Sequence, residues 1–83
     1  MLKDRVIYLN NNNSYYILEE IEYDYKKYVF AAKCDLEKET INEDEYVVKE
    51  IKLVNNELVT ENILDDNLAL CVTNLLLEKI RNN

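Results

Sequence analysis

The chain contains no histidine and no glycine, and its single serine is Ser14. Without histidine, Ser-His-Asp and Cys-His catalytic arrangements are excluded, as are histidine-based zinc sites. Without glycine, the Walker phosphate loop and the dinucleotide fingerprint cannot be built. Ser14 lies beside an asparagine run, with no candidate base fixed by spacing. Cations are also scarce: Lys and Arg number 10 against 17 Asp and Glu, a net charge of −7. That sign repels nucleic acid and anionic membranes. No apolar run approaches the roughly 20 residues of a bilayer-spanning helix. Met1-Leu2-Lys3-Asp4-Arg5 leads into only Val6-Ile7-Tyr8-Leu9, too short a run for a signal-peptide core. The two cysteines, Cys34 and Cys71, form no CxxC pair. They are expected to be buried free thiols, and with them goes an expected cytoplasmic location.

What remains describes a small globular protein. At 83 residues, 48% of them apolar, the chain is expected to form one α+β domain (residues 1–83). A domain of this size buries roughly 60% of the surface its unfolded chain exposes. With no glycine, backbone positions at positive φ fall to Asn and Asp, which cluster at Asn10 to Asn13 and at Asn55-Asn56. Carboxylates are adjacent at Glu19-Glu20, Asp65-Asp66 and Glu43-Asp44-Glu45. A general acid needs a raised pKa, usually from burial, and these groups sit in charged, solvated surroundings. Calcium at Glu43-Asp44-Glu45 would lack the EF-hand spacing and its glycine. No enzymatic activity, metal or cofactor is expected.

The longest apolar helical pattern is Asp65 to Arg81. Asp65, Asp66 and Asn67 offer N-terminal caps, and Lys79 and Arg81 complement the dipole of the last turn. At 100° per residue Leu68, Val72, Leu75 and Leu76 share one face. Leu70 and Leu77 point the other way and offer a second apolar stripe. Upstream, Val6 to Leu9, Ser14 to Tyr23, Lys27 to Cys34, Tyr46 to Val54 and Leu58 to Ile63 read as strands. The expected architecture is an antiparallel meander of about five strands with the C-terminal helix packed on one face. Lys27 to Cys34 is apolar on both faces and should be central, and Phe30 and Val72 are both expected in the core. In the second strand, Tyr15, Ile17, Ile21 and Tyr23 alternate with Tyr16, Leu18, Glu20 and Glu22. Glu19 falls on the apolar side, marking either an exposed margin or a bulge that shifts the alternation by one residue. Tyr23 to Lys26 and Asn55-Asn56 are read as tight turns, and Asp35 to Glu45, dense in charge, as a mobile loop. All seven tyrosines lie in or beside strands, where cross-strand packing is expected.

The Val6-Ile7-Tyr8-Leu9 and Tyr15-Tyr16-Ile17-Leu18 strands, the Tyr23-Asp24-Tyr25-Lys26-Lys27-Tyr28-Val29 hairpin, the acidic middle and Ile63-Leu64-Asp65-Asp66 before an apolar helix form one layout. That layout resembles the YrzB-like family of small acidic bacterial proteins, whose members commonly carry glycine in the hairpins. The resemblance implies a small acidic α+β fold and brings no activity or site residues with it.

Two functions from different classes fit this chain. One is a non-enzymatic interaction module, an inhibitor or regulator whose acidic residues Glu19, Glu20, Glu22, Asp24, Glu43, Asp44 and Glu45 engage a basic, nucleic-acid-binding protein. Carboxylates two apart on a strand, such as Glu20 and Glu22, are spaced about 6.8 Å, which suits mimicry of a phosphate backbone. The other is a self-associating module with Leu70 and Leu77 in a homodimer seam. Charge distribution separates them: mimicry gathers acids on one surface, whereas simple solubility scatters them among lysines.

Overall fold

A computed structural model describes residues 2–9 and 12–82. Five strands, β1 (Val6–Tyr8), β2 (Ser14–Tyr23), β3 (Lys26–Asp35), β4 (Thr40–Val54) and β5 (Glu57–Glu61), precede one helix, α1 (Asp66–Arg81). The strands pair antiparallel in the order β1-β2-β3-β4-β5. The expected α+β meander is the observed fold, and α1 lies across β2 and β3.

Turn chemistry follows the missing glycine. Asn55 and Asn56 both take left-handed conformations (φ 51° and 67°) between the paired residues Val54 and Glu57, a two-residue hairpin turn. Asp24 and Tyr25 do the same between Tyr23 and Lys26, at φ 53° and 66°. Tyrosine is a poor occupant of that region. Asn12 is left-handed as well (φ 61°); Asn10 and Asn11 lie outside the described residues. Asp65 caps α1, its Oδ1 accepting the backbone N–H of Asn67 at 2.9 Å and of Leu68 at 3.1 Å.

Alternation along β3 sends apolar side chains to both faces. Tyr28 and Phe30 pack with Val72 and Leu76 under the helix. Val29 and Ala31 join Ile7, Tyr15, Ile17 and Ile51 on the other face. That second face has no helix over it, yet Ile17, Val29 and Ala31 are fully buried. Four strand spacings of about 4.8 Å would hold β1 and β5 about 19 Å apart in a flat sheet. Here Leu2 and Arg5, beside the β1 edge, line the same cavity as Leu58 of β5. The sheet therefore curls, and its concave face closes on itself.

Two irregularities decide where charge goes. Ile17 pairs with Ala31 but Glu19 pairs with Phe30, so Leu18 is an extra residue in β2. Of the two readings of Glu19, the bulge holds: the alternation shifts, and Glu19 is buried at 3% exposure. Ile21 is thereby moved to the helix side, away from the face of Tyr15 and Ile17. The second irregularity lies in β4. Ala32 pairs with Tyr46 while the next residue, Lys33, pairs with Asn42, leaving Glu43, Asp44 and Glu45 with no counterparts on β3. The expected loop over Asp35 to Glu45 is thus corrected: only residues 36–39 turn, and Thr40, Ile41 and Asn42 pair with Asp35, Cys34 and Lys33.

The tyrosines divide. Tyr15 and Tyr28 are buried, whereas Tyr8, Tyr23, Tyr25 and Tyr46 are exposed. Tyr46 stacks on Phe30, with ring centroids 4.7 Å apart.

Candidate functional site

Of the acids expected on β2, Glu19 and Glu20 are engaged within the protein. Glu19 forms ion pairs with Lys3 (3.6 Å) and Lys79 (3.5 Å), and its Oε1 accepts the backbone N–H of Glu20 at 3.1 Å. Lys79 also donates to the Glu20 carbonyl at 2.8 Å. The Glu20 carboxylate accepts the backbone N–H of Leu2 at 2.7 Å. These contacts fasten the N-terminal segment and the last turns of α1 to the β2 bulge. Glu19 is therefore removed from the expected partner-binding surface, because the bulge turns it inward. Glu22 is exposed and stands opposite Lys27 across the hairpin, and Asp24 occupies the turn.

Acids instead collect at the far end of the β3–β4 hairpin. Asp35, Glu37, Glu39, Glu43, Asp44 and Glu45 are all exposed there. The nearby cations are Lys33, Lys38 and Lys3, which lines one hollow with Glu43 and Asp44, and Lys33 is paired with Glu45 at 3.3 Å. Local side-chain acceptors hold the backbone that presents these charges. Asp35 Oδ1 accepts the N–H of Glu37 (3.0 Å) and of Lys38 (3.2 Å), and Asn42 Oδ1 accepts that of Asp44 (3.0 Å). Glu39 closes the turn at φ 54°. Among the described residues no three acidic or cysteine side chains converge in a way that could hold a metal.

The opposite end of the sheet, roughly 30 Å away along the ten-residue β3, carries Lys26, Lys27 and Lys52. Lys26 pairs with Glu50 at 3.8 Å and Lys52 with Glu61 at 2.8 Å. The Glu61 carboxylate, by hydrogen bond and then by charge, holds the Lys52 ammonium above its ordinary pKa. The two ends therefore differ in balance: acids far outnumber cations at the β3–β4 end, whereas the opposite end mixes Lys26, Lys27 and Lys52 with Glu22, Asp24, Glu50, Glu57 and Glu61.

Leu70 and Leu77 do not form the expected second stripe. Leu70 is exposed, but Leu77 packs against the core with Ile80 and Leu18. The buried arc of α1 runs from Leu68 through Val72 and Leu76 to Ile80, which rotates Leu77 inward and leaves Leu75 partly outside. Half of the proposed homodimer seam is thus already covered.

Cys34 and Cys71 are free and half-buried, less enclosed than the sequence suggests. Burial, and then the Asp35 charge, raises the Cys34 thiol above its ordinary pKa. Tyr23 is raised first by its hydrogen bond to Cys71 and then by the negative charge of the Cys71 thiolate form. Tyr16 is raised by donating its hydroxyl to Asp4 at 2.6 Å. The raised thiol of Cys34 is not activated for nucleophilic chemistry, because a reactive thiol needs a lowered pKa or an adjacent base.

Comparison with family models, with curated proteins and with solved structures finds no match. Among the described residues no helix is long and apolar enough to cross a membrane.

The β4 bulge was the feature sequence reasoning missed. Its only signal was the Glu43-Asp44-Glu45 triplet inside a run that regains strand character at Thr40-Ile41.

Proposed function

We propose that this protein is a non-enzymatic interaction module that engages a basic partner through the acidic end of its β3–β4 hairpin. The observation that carries this reading is the register jump in β4. It sets Glu43, Asp44 and Glu45 outside the ladder, on the same hairpin as Asp35, Glu37 and Glu39. An array of exposed carboxylates on a backbone fixed by its own hydrogen bonds is the geometry that mimicry of a phosphate backbone needs. A partner that ordinarily binds nucleic acid has the complementary surface, and the module would act as its inhibitor or regulator. The absence of histidine and glycine supports a role without catalysis, and the free thiols suit the cytoplasm. Membership of the YrzB-like family would lead to the same reading, a small acidic domain without an assigned activity.

The test is the rate of association with a basic partner captured from the native host. Reversing Glu43, Asp44 and Glu45 to Lys should slow association by about tenfold or more, and raising salt should do the same to the wild type. Reversing Glu20 and Glu22 should have a smaller effect, since Glu20 is engaged with Leu2. Salt-insensitive binding that survives the Glu43/Asp44/Glu45 reversal would refute the proposal.

A further inference from the structure

At the end of the sheet remote from the acidic hairpin, the concave face opens into a cavity of about 590 Å³. Its apolar lining is Leu2, Ile51, Leu53 and Leu58, with Ile51 the buried base and Leu53 exposed. Strand register places Lys27 opposite Ile51, on the same face as Val29, and Arg5 lies two residues before the concave-facing Ile7. Both cations line the cavity. Neither has an ion-pair partner among the described residues, although acids outnumber cations in this chain 17 to 10. The other charged groups lining the cavity are paired, Lys26 with Glu50 and Lys52 with Glu61, and Glu22, the cross-strand neighbour of Lys27, forms no ion pair with it.

Tyr25 stands at the mouth. It is 96% exposed, so packing does not hold it in place, and it occupies a left-handed position (φ 66°) that costs a bulky residue free energy. A turn of this type favours Asn or Gly, the chemistry the chain uses at Asn55-Asn56. A strained, fully exposed aromatic side chain beside an apolar cavity points to a ligand.

We infer that this cavity binds a single-chain anionic amphiphile, with its acyl chain on the leucine and isoleucine lining and its anionic head between Arg5 and Lys27. The volume lies within the roughly 300–1,000 Å³ of small-molecule sites. Charge complementarity selects the occupant. Two unpaired cations at the rim of an apolar hollow match one anionic head on one hydrocarbon tail, and Tyr25 is positioned to cover the chain at the opening. Arginine adds bidentate recognition of a carboxylate or phosphate. This site is independent of the acidic hairpin, which lies at the other end of the strands.

The test is fluorescence titration of the whole protein with 11-(dansylamino)undecanoate, in parallel with its methyl ester. Saturable one-to-one binding of the acid, at least tenfold tighter than the ester, is expected. Combining Arg5→Gln with Lys27→Gln should weaken the acid at least tenfold and leave the ester unchanged, whereas Lys38→Gln should alter neither. Dodecyl phosphate and laurate, used as competitors, distinguish the two headgroup chemistries. Amide shifts of the wild-type protein on adding laurate should centre on Lys27, Ile51, Leu53 and Leu58, a readout that needs no variant. Absence of saturable binding, equal affinity for acid and ester, or shifts centred on α1 would overturn the inference. So would light scattering that shows two copies of the chain closing the cavity against each other.

Discussion

Replacing Glu19 with alanine removes a carboxylate whose partners include Lys3, Lys79 and the backbone N–H of Glu20. Its ion pairs with Lys3 and Lys79, at 3.6 and 3.5 Å, involve cations whose side chains are 36% and 50% exposed. Each pair is screened and contributes on the order of 0.5 kcal/mol. The backbone N–H of Glu20 is different, because it lies at the bulge and donates to a charged acceptor. A bond of that type contributes about 1.5–3 kcal/mol. Together these give a loss of about 3 kcal/mol for Glu19→Ala, since Lys3 and Lys79 can turn back to water. Glu19→Gln keeps an acceptor for the N–H and should cost only about 1 kcal/mol. Urea denaturation of both variants reads this difference directly, and in a thermal melt 1 kcal/mol corresponds to roughly 4–8 °C for a domain of this size. Equal losses for the two variants would mean that ion pairing, not the backbone bond, fastens the bulge. A Glu19→Ala loss under about 0.5 kcal/mol would refute the idea that Glu19 joins the N-terminal segment and α1 to β2.

Three further outcomes follow from the geometry. Phe30→Ala, which empties a site between Val72, Leu76 and the Tyr46 ring, should cost about 3–5 kcal/mol, measured by chemical denaturation. Tyr25→Asn should raise stability by about 1 kcal/mol in the same assay, because asparagine tolerates the left-handed conformation and the tyrosine ring contributes no packing. Tyr16, Tyr23, Cys34 and Lys52 all hold their protons more tightly when folded than when unfolded. The unfolded chain loses these protons first, so the thermal midpoint should fall as pH rises above about 9, where the lowest of these groups ordinarily titrates, and be flat with respect to them well below it.

Much of the fold was legible because the relevant signals are local. The caps and periodicity of residues 65–81 gave α1 within one residue, and Asn55-Asn56 marked a turn whose conformation those side chains favour. Two-sided apolarity identified β3 as central. The bulges are not local. Whether Leu18 or Glu43 to Glu45 is an extra residue depends on what the neighbouring strand places opposite, which no single strand encodes. Charge density suggested a loop over Asp35 to Glu45, but both faces of the sheet are hydrated there, so a strand of acids carries no desolvation cost. Glu19 carries the same lesson in reverse: a carboxylate goes inside when two lysines distant in sequence and a bulge meet it. Leu77 was misplaced because helix periodicity orders the faces but does not fix the rotation of the helix over the sheet, which Ile80 and Leu18 settle.

Engagement of a basic partner by the exposed acids of the β3–β4 hairpin is the central claim about function, and amide shift mapping tests it most directly. Labelled protein titrated with its captured basic partner should show perturbations concentrated in residues 35–45 that disappear as salt is raised. Perturbations centred on β2 or on the outer face of α1, or a map indifferent to salt, would contradict it.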